Sequence, residues 1–357
     1  WGIARYDDVL AIEKDPKTFS SQRAPRPHGH PLPMMISMDD PEHQRRRSLV
    51  NRGFTPRRIG ELEGTVTGLC RRIVDRVSES GACDAVWDLA APLPLMVIAD
   101  LLGFEDAHLD DLLRWSDDMI RATTLDPAPE VADAGLRAML GFRELQLGVI
   151  AARRAEPLDD LISTLCTAEV DGHRLDDESI VQETLLLLIG GDETSRHVIS
   201  GGLLALLDYP DQRAWLAEDL DRLPVAVEEM LRWVSPIKNM ARTVTAEVEV
   251  RGQVLHEGDQ VMLFYPSANR DEAVFEAADE HDLVLVGYLT FFGPPLEDAA
   301  DILGELRRDG VAVKILTGDN ELVARHICSS VGLDAGRIVM GEELDRTTDA
   351  ALAQMSE

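Results

Sequence analysis

The sequence predicts a mainly α-helical domain with a small β region, followed by a partial doubly wound α/β segment. Three observations predict it. Helical periodicity dominates from about Asp40 to Trp233. Between Thr243 and Leu263 the apolar residues alternate instead, as in Val248, Val250 and Val254, with Gly252 and Gly258 at turns. Past Glu280 the texture changes to strand, helix, strand, loop and helix, which is half of a doubly wound unit. Two domains follow, residues 1–280 and residues 281–357.

Residues 1–20 read as a strand-like start and a short helix. The chain opens at Trp1 with neither a methionine nor a signal peptide, which points to an upstream segment outside this sequence. A Pro/Gly/His-rich loop runs from Arg23 to Pro33. Asp40 suits the N-cap of the next helix and Pro41 its first position. Breaks near Pro56, Gly81, Pro127 and Pro157 divide the helices that follow. The longest helical pattern extends from Asp177 to Leu207. Its Leu185–Ile189 stretch is apolar on every face, so it belongs among other helices. In the tail, a strand at Asp282–Tyr288 and a helix after Pro294-Pro295 precede a strand at Val311–Leu316. That strand ends in Thr317-Gly318-Asp319-Asn320 before a further helix.

Composition narrows the function. The 357 residues are 45% hydrophobic, enough for a packed core. Asp+Glu number 65 against 35 Lys+Arg, a formal charge of −30. Such a surface repels phosphates and anionic lipid, which argues against nucleic acid or a membrane as partner. No apolar run is long enough for a membrane span. The four cysteines (Cys70, Cys83, Cys166, Cys328) show no CxxC spacing and no nearby histidine partners, so neither zinc nor a disulfide framework is expected. A reducing cytoplasm suits them.

The long helix breaks its apolar pattern at Gly190-Gly191-Asp192-Glu193-Thr194. Each glycine costs a helix about 1 kcal/mol relative to alanine. Glycine lets a flat cofactor approach the backbone, and a threonine hydroxyl can bond the carbonyl one turn back. An acid beside it can relay protons. A kinked helix with a solvated polar edge would also account for the pattern.

Gly190 to Ser195 resembles the oxygen-activating motif of cytochromes P-450. The resemblance implies that Thr194 and Glu193 are catalytic, with Thr194 holding bound dioxygen and Glu193 feeding protons inward. Glu229-Met230-Leu231-Arg232 is similar to the family's E-x-x-R pair, with both charges on one helical face. In the family this pair is structural. His43 and Arg47 lie at i,i+4 on the helix begun by Asp40 and Pro41. By resemblance they hold haem propionates, where charge-assisted bonds are strong. Arg242 matches a third propionate ligand, and the implied cofactor is haem b, cradled by Gly190 and Gly191.

Pro31–Ile36, Asp39–His43, Val50–Thr55, Ile189–Thr194 and Trp233–Arg242 resemble bacterial steroid side-chain hydroxylases. That branch implies a steroid-like substrate and electrons from a ferredoxin-type donor. Six arginines (45, 46, 47, 52, 57 and 58) lie between His43 and Gly60 without an acid among them. An acidic ferredoxin would be steered to such a surface.

The family's Phe-x-x-x-Arg stretch, its F-x-x-G-x-x-x-C-x-G ligand loop and its final helix are absent from the sequence after Ala278-Asp279-Glu280. Thiolate ligation is what favours O–O cleavage in this family. No metal ligand is therefore assigned, and the resemblance implies an incomplete cytochrome P-450 fold without turnover.

Gly287-Tyr288, Phe291–Pro295 and Val313–Asn320 resemble the phosphorylation domain of P-type ATPases, the magnesium-transporting branch in particular. This implies a partial haloacid-dehalogenase-like segment with Thr317, Gly318 and Asp319 binding phosphate. The family's D-K-T-G and G-D-G-x-N-D motifs are absent. Two other functions stay open at this point: a non-catalytic haem or sterol binding module, and a nucleotide- or phosphate-binding tail.

Overall fold

The computed structural model of the protein describes residues 1–275 apart from 28, 125, 126 and 171, together with 278, 308 and 328. The chain divides into Trp1–Tyr288 and Leu289–Glu357, and the fold below is that of the first unit. The strands and helices expected beyond Glu280, with Thr317, Gly318 and Asp319, lie outside the described residues.

The first unit is mainly helical. Strand β1 (Gly2–Ile3) and helix α1 (Tyr6–Glu13) precede β2 (Phe19–Ser20). Helix α2 (Glu42–Asn51) starts one residue later than the capping pattern predicts. Pro41 occupies the N-cap, and the Asp40 carboxylate faces His43 instead, with Oδ1 3.6 Å from Nδ1. Thr55 caps α3 (Pro56–Ser80) by accepting the Arg58 amide, and Gly81 ends it at φ 72°, the left-handed conformation glycine tolerates.

A π turn at Ala85–Ala90 leads into α4 (Pro92–Leu101), followed by α5 (Leu109–Arg121), α6 (Pro129–Ala155) and α7 (Leu161–Thr167). The long helix α8 (Asp177–Asp208) is capped by Asp176, whose Oδ1 accepts the Ser179 amide at 2.7 Å. Helices α9 (Pro210–Glu218) and α10 (Leu223–Val234) complete the helical layer.

The β region holds β3 (Asn239–Val244), β4 (Val248–Val250), β5 (Gln253–Leu255) and β6 (Gln260–Phe264), then the short α11 (Tyr265–Ala268). One sheet has the order β1-β6-β3-β2, with β1 parallel to β6 and the other pairs antiparallel. The chain's first residues thus close onto a strand some 260 positions later, which local periodicity could not announce. β4 and β5 form a separate hairpin, turned by Arg251 and Gly252 at φ 49° and 75°.

The main core gathers Leu95, Ile98, Leu102, Leu112, Phe142, Ile150, Leu161, Ile180, Leu185 and Leu188 around α8. A second cluster, with Val9, Ile12, Val244, Val261 and Leu263, lies at the sheet. Glycines set how closely α8 is approached. A Cβ at Gly201 would stand 2.6 Å from Val234 Cγ2, and one at Gly202 would stand 2.6 Å from Met230 Sδ, so α10 crosses where α8 has no side chains. Among the described residues no helix is long and apolar enough to cross a membrane.

Candidate active site

The site is built along α8. Gly190 is exposed, and a Cβ added there would meet nothing within 4 Å. The helix therefore offers a bare backbone patch that a flat group can approach. Gly191, about 100° further round the helix, would place a Cβ 3.3 Å from Ile98 Cδ1 on α4. Gly190 thus faces the open side, while Gly191 lets α4 pack.

Thr194 is one turn beyond Gly190, and its Oγ1 donates to the Gly190 carbonyl at 2.5 Å. That bond fixes the hydroxyl beside the open patch and leaves its lone pairs to accept from a group there. Glu193 is clamped. Its Oε1 accepts from Arg196 Nη2 at 2.8 Å, and the same nitrogen donates to Asp117 Oδ1 on α5 at 2.9 Å. Arg196 is only 4% exposed and lies over the Trp87 ring at 5.4 Å. Burial pushes the Glu193 carboxyl above its ordinary range, against the pull of Arg196.

Asp192, which the motif reading passed over, is the acid of the motif that is completely buried. Burial raises its pKa to about 6, with Arg196 and then the Ser116 hydroxyl opposing. Although Ser116 eases the cost, neither its Oγ nor either Asp192 oxygen completes a hydrogen bond of normal geometry. A signal for such a residue existed in the sequence: an acid directly after a run that is apolar on all faces.

Glu183 was missed for the same reason. Fully buried on α8, it accepts from the Met35 amide at 3.0 Å and from Arg46 Nη1 at 3.0 Å. This ties α2 and the Met35–Ser37 turn to α8 two turns before Gly190. Burial pushes the Glu183 carboxyl up, opposed by Arg46.

The three basic residues expected to hold a dianionic group are differently placed. Arg242 is engaged within the protein: its Nη2 donates to Glu13 Oε2 at 3.2 Å and its Nη1 to the Ala241 carbonyl at 3.1 Å. Glu13 also accepts from the Tyr265 hydroxyl at 2.5 Å. His43 is half-buried beside Asp40. Arg47 is exposed and makes no ion pair among the described residues. A propionate at Arg242 must therefore displace or share Glu13.

Glu229 and Arg232 form a bidentate pair, Nε to Oε2 at 2.6 Å and Nη2 to Oε1 at 2.7 Å, with Glu229 2% exposed. Arg232 Nη1 also donates to the carbonyls of Asn269 at 2.8 Å and Ala278 at 3.1 Å. The pair thus stitches α10 to the segment after β6. Arg270, not singled out by its local pattern, adds a second stitch through the Trp233 carbonyl at 2.7 Å.

Tertiary structure also changes the arginine cluster. Arg45 pairs with Glu42, Arg46 with Glu183, Arg57 with Glu61 and Arg58 with Asp159. Arg47 and Arg52 stay exposed without an acidic partner among the described residues.

Cys70 lies on α3, Cys83 is exposed just after it, and Cys166 is buried on α7, where burial pushes its thiol up and away from the thiolate form. Among the described residues no cluster of His, Cys, Asp and Glu could hold a metal. The residues present fit the oxygen side of a haem, where Gly190 is bare and Thr194 is held beside it.

Residues 144–283 match the family model described as cytochrome P-450. The chain is 47% identical over 278 residues to a steroid C26-monooxygenase of Mycobacterium tuberculosis (strain CDC 1551 / Oshkosh), covering 78% of this chain and 75% of that protein. It is 38% identical to a methyl-branched lipid omega-hydroxylase of Mycobacterium bovis, covering 77% and 66%. The fold is similar to a solved cytochrome P-450 of Mycobacterium marinum in complex with pseudoionone, with TM-score 0.76, 32% identity, and 80% and 72% of the two chains covered.

Proposed function

This chain belongs to the cytochrome P-450 family, and from that premise we propose a haem-thiolate monooxygenase scaffold for a steroid-like side chain that does not turn over as encoded. The steroid class is supported by 47% identity to the steroid C26-monooxygenase. Haem b held by a thiolate would supply the family's dioxygen chemistry. The observation that carries the reading is the pairing of an open Gly190 with Thr194 fixed beside it, in a sequence without the cysteine loop.

In this reading the chain's own residues divide the work. Gly190 admits a flat group, Thr194 presents its hydroxyl to that face, and Glu193 keeps a carboxyl, pushed up by burial, in the grip of Arg196. His43 and Arg47 supply hydrogen-bond donors for carboxylates, with Arg242 available only in exchange for Glu13. Glu229 and Arg232 keep α10 and its following segment in place. Arg52 is the charge left for an acidic ferredoxin, and a cytoplasmic setting suits the chain's free thiols.

Haem titration of the full chain followed by carbon monoxide tests this. Haem uptake without the red-shifted thiolate-type Soret band is expected, which is also the result for a non-catalytic haem or sterol module. A red-shifted band would overturn the lack of turnover. For residues 281–357 we propose a segment similar to a P-type ATPase phosphorylation domain, with phosphate at Thr317, Gly318 and Asp319. Absence of nucleotide binding to the full chain would remove it.

A further inference from the structure

Four buried polar atoms where α8 faces α5, away from Gly190, complete no hydrogen bond of normal geometry among the described residues: Asp192 Oδ1 and Oδ2, Ser116 Oγ and Arg196 Nη1. Asp192 and Ser116 are fully buried and Arg196 nearly so. Buried polar groups left this way are served by internal water, which needs a polar setting and two to four partners. One carboxylate, one hydroxyl and one guanidinium nitrogen meet that need.

We propose that Asp192, Ser116 and Nη1 of Arg196 form an internal water site in which Asp192 stores an exchangeable proton and, through Arg196, sets the hold on Glu193. The charges that face Asp192 are few. From α8 itself come Glu193, Arg196 and His197, and from α5 comes Asp117. The π turn and α4 contribute Trp87 and Ile98 nearby, neither of which titrates.

Three carboxylates therefore compete for one guanidinium. Arg196 gives its Nη2 to Asp117 and Glu193, and makes no ion pair with Asp192 despite lying one turn away on the same helix. That is the arrangement for a neutral Asp192. Once ionised, Asp192 draws Nη1, directly or through the water, and loosens the bond to Glu193. Asp192 is thus a positioning residue. The water site stands by itself, and only its service to proton delivery rests on the role proposed for Glu193.

Infrared pH titration of the full chain tests it. The wild type is expected to show a buried protonated-carboxyl band that disappears with a midpoint near pH 6. Asp192→Asn removes the band, Glu193→Gln keeps it, and Ser116→Ala raises its midpoint, because the hydroxyl favours the ionised form. The Glu193 carboxylate signal, identified as the one lost in Glu193→Gln, shifts at the same midpoint in the wild type and not in Asp192→Asn. A wild type lacking the band at about pH 5, a band that survives Asp192→Asn, or a midpoint unmoved by Ser116→Ala overturns the proposal. High-resolution diffraction showing a dry site does the same. Failure of the chain to bind haem would leave all of these signals unchanged and would count only against the oxygenase reading.

Discussion

The Glu183 carboxylate and the Arg46 guanidinium meet at 3.0 Å across α8 and α2, and the acid is completely buried while the base keeps 17% of its side chain exposed. The Met35 amide shares the same carboxylate. This one acid therefore fixes a helix and a turn that the sequence reads as unrelated pieces.

Removing the base strands the acid. Arg46→Leu is expected to destabilise the fold by about 3–5 kcal/mol, the usual cost of leaving a buried charge, here Glu183, unpaired. Glu183→Leu added to Arg46→Leu should recover part of that loss, since the pair no longer has a survivor. Urea unfolding of both variants checks it, and additive losses would show that the two residues are not coupled.

Glu229→Ala should cost about 3–5 kcal/mol for the same reason, with the bidentate geometry lost as well. A loss under about 1 kcal/mol would be that of an exposed pair and would contradict the burial seen here.

The glycines of α8 should separate in stability. Gly190→Ala meets open space and should stabilise the helix by about 1 kcal/mol, while obstructing any flat group on that face. Gly201→Ala drives a methyl onto the stiff Val234 side chain and should cost about 1–3 kcal/mol. Thermal melts with and without haem read both effects. Equal shifts for the two variants would refute the distinction.

Asp192 gives stability a pH dependence whose sign follows from its raised pKa. The folded chain holds that proton up to about pH 6, whereas the unfolded chain releases it near the ordinary value of about 4. The stabilising contribution is thus complete below about pH 4 and is lost as pH rises through about 6. The loss amounts to roughly 3 kcal/mol at the fully ionised end. Asp192→Asn should flatten this part of the profile. Parallel wild-type and mutant curves across that interval would show that the proton is not there.

Much of the site was legible locally. The Gly-Gly-Asp-Glu-Thr break sits where a buried helix would not choose glycine or acid, and Thr194 bonds the carbonyl one turn back as its side chain allows. Glu229 and Arg232 meet because residues three apart share a helical face. What was not legible was which acid is buried. Asp192 and Glu193 are adjacent in sequence, yet one lies sealed against α5 and the other is clamped by Arg196, since each step along a helix rotates the side chain about 100°.

The sequence by itself determined the helical class, the β region, the long helix with its Gly-Gly-Asp-Glu-Thr break, and the lack of a cysteine loop after Glu280. These depend on spacing and residue type along the chain. Tertiary structure alone decided that Gly191 serves Ile98, that Arg242 is held by Glu13, and that Arg46 and Arg58 are neutralised by Glu183 and Asp159. The physical reason is range: periodicity reports which face a residue occupies, but burial and charge pairing depend on what another part of the chain brings to that face.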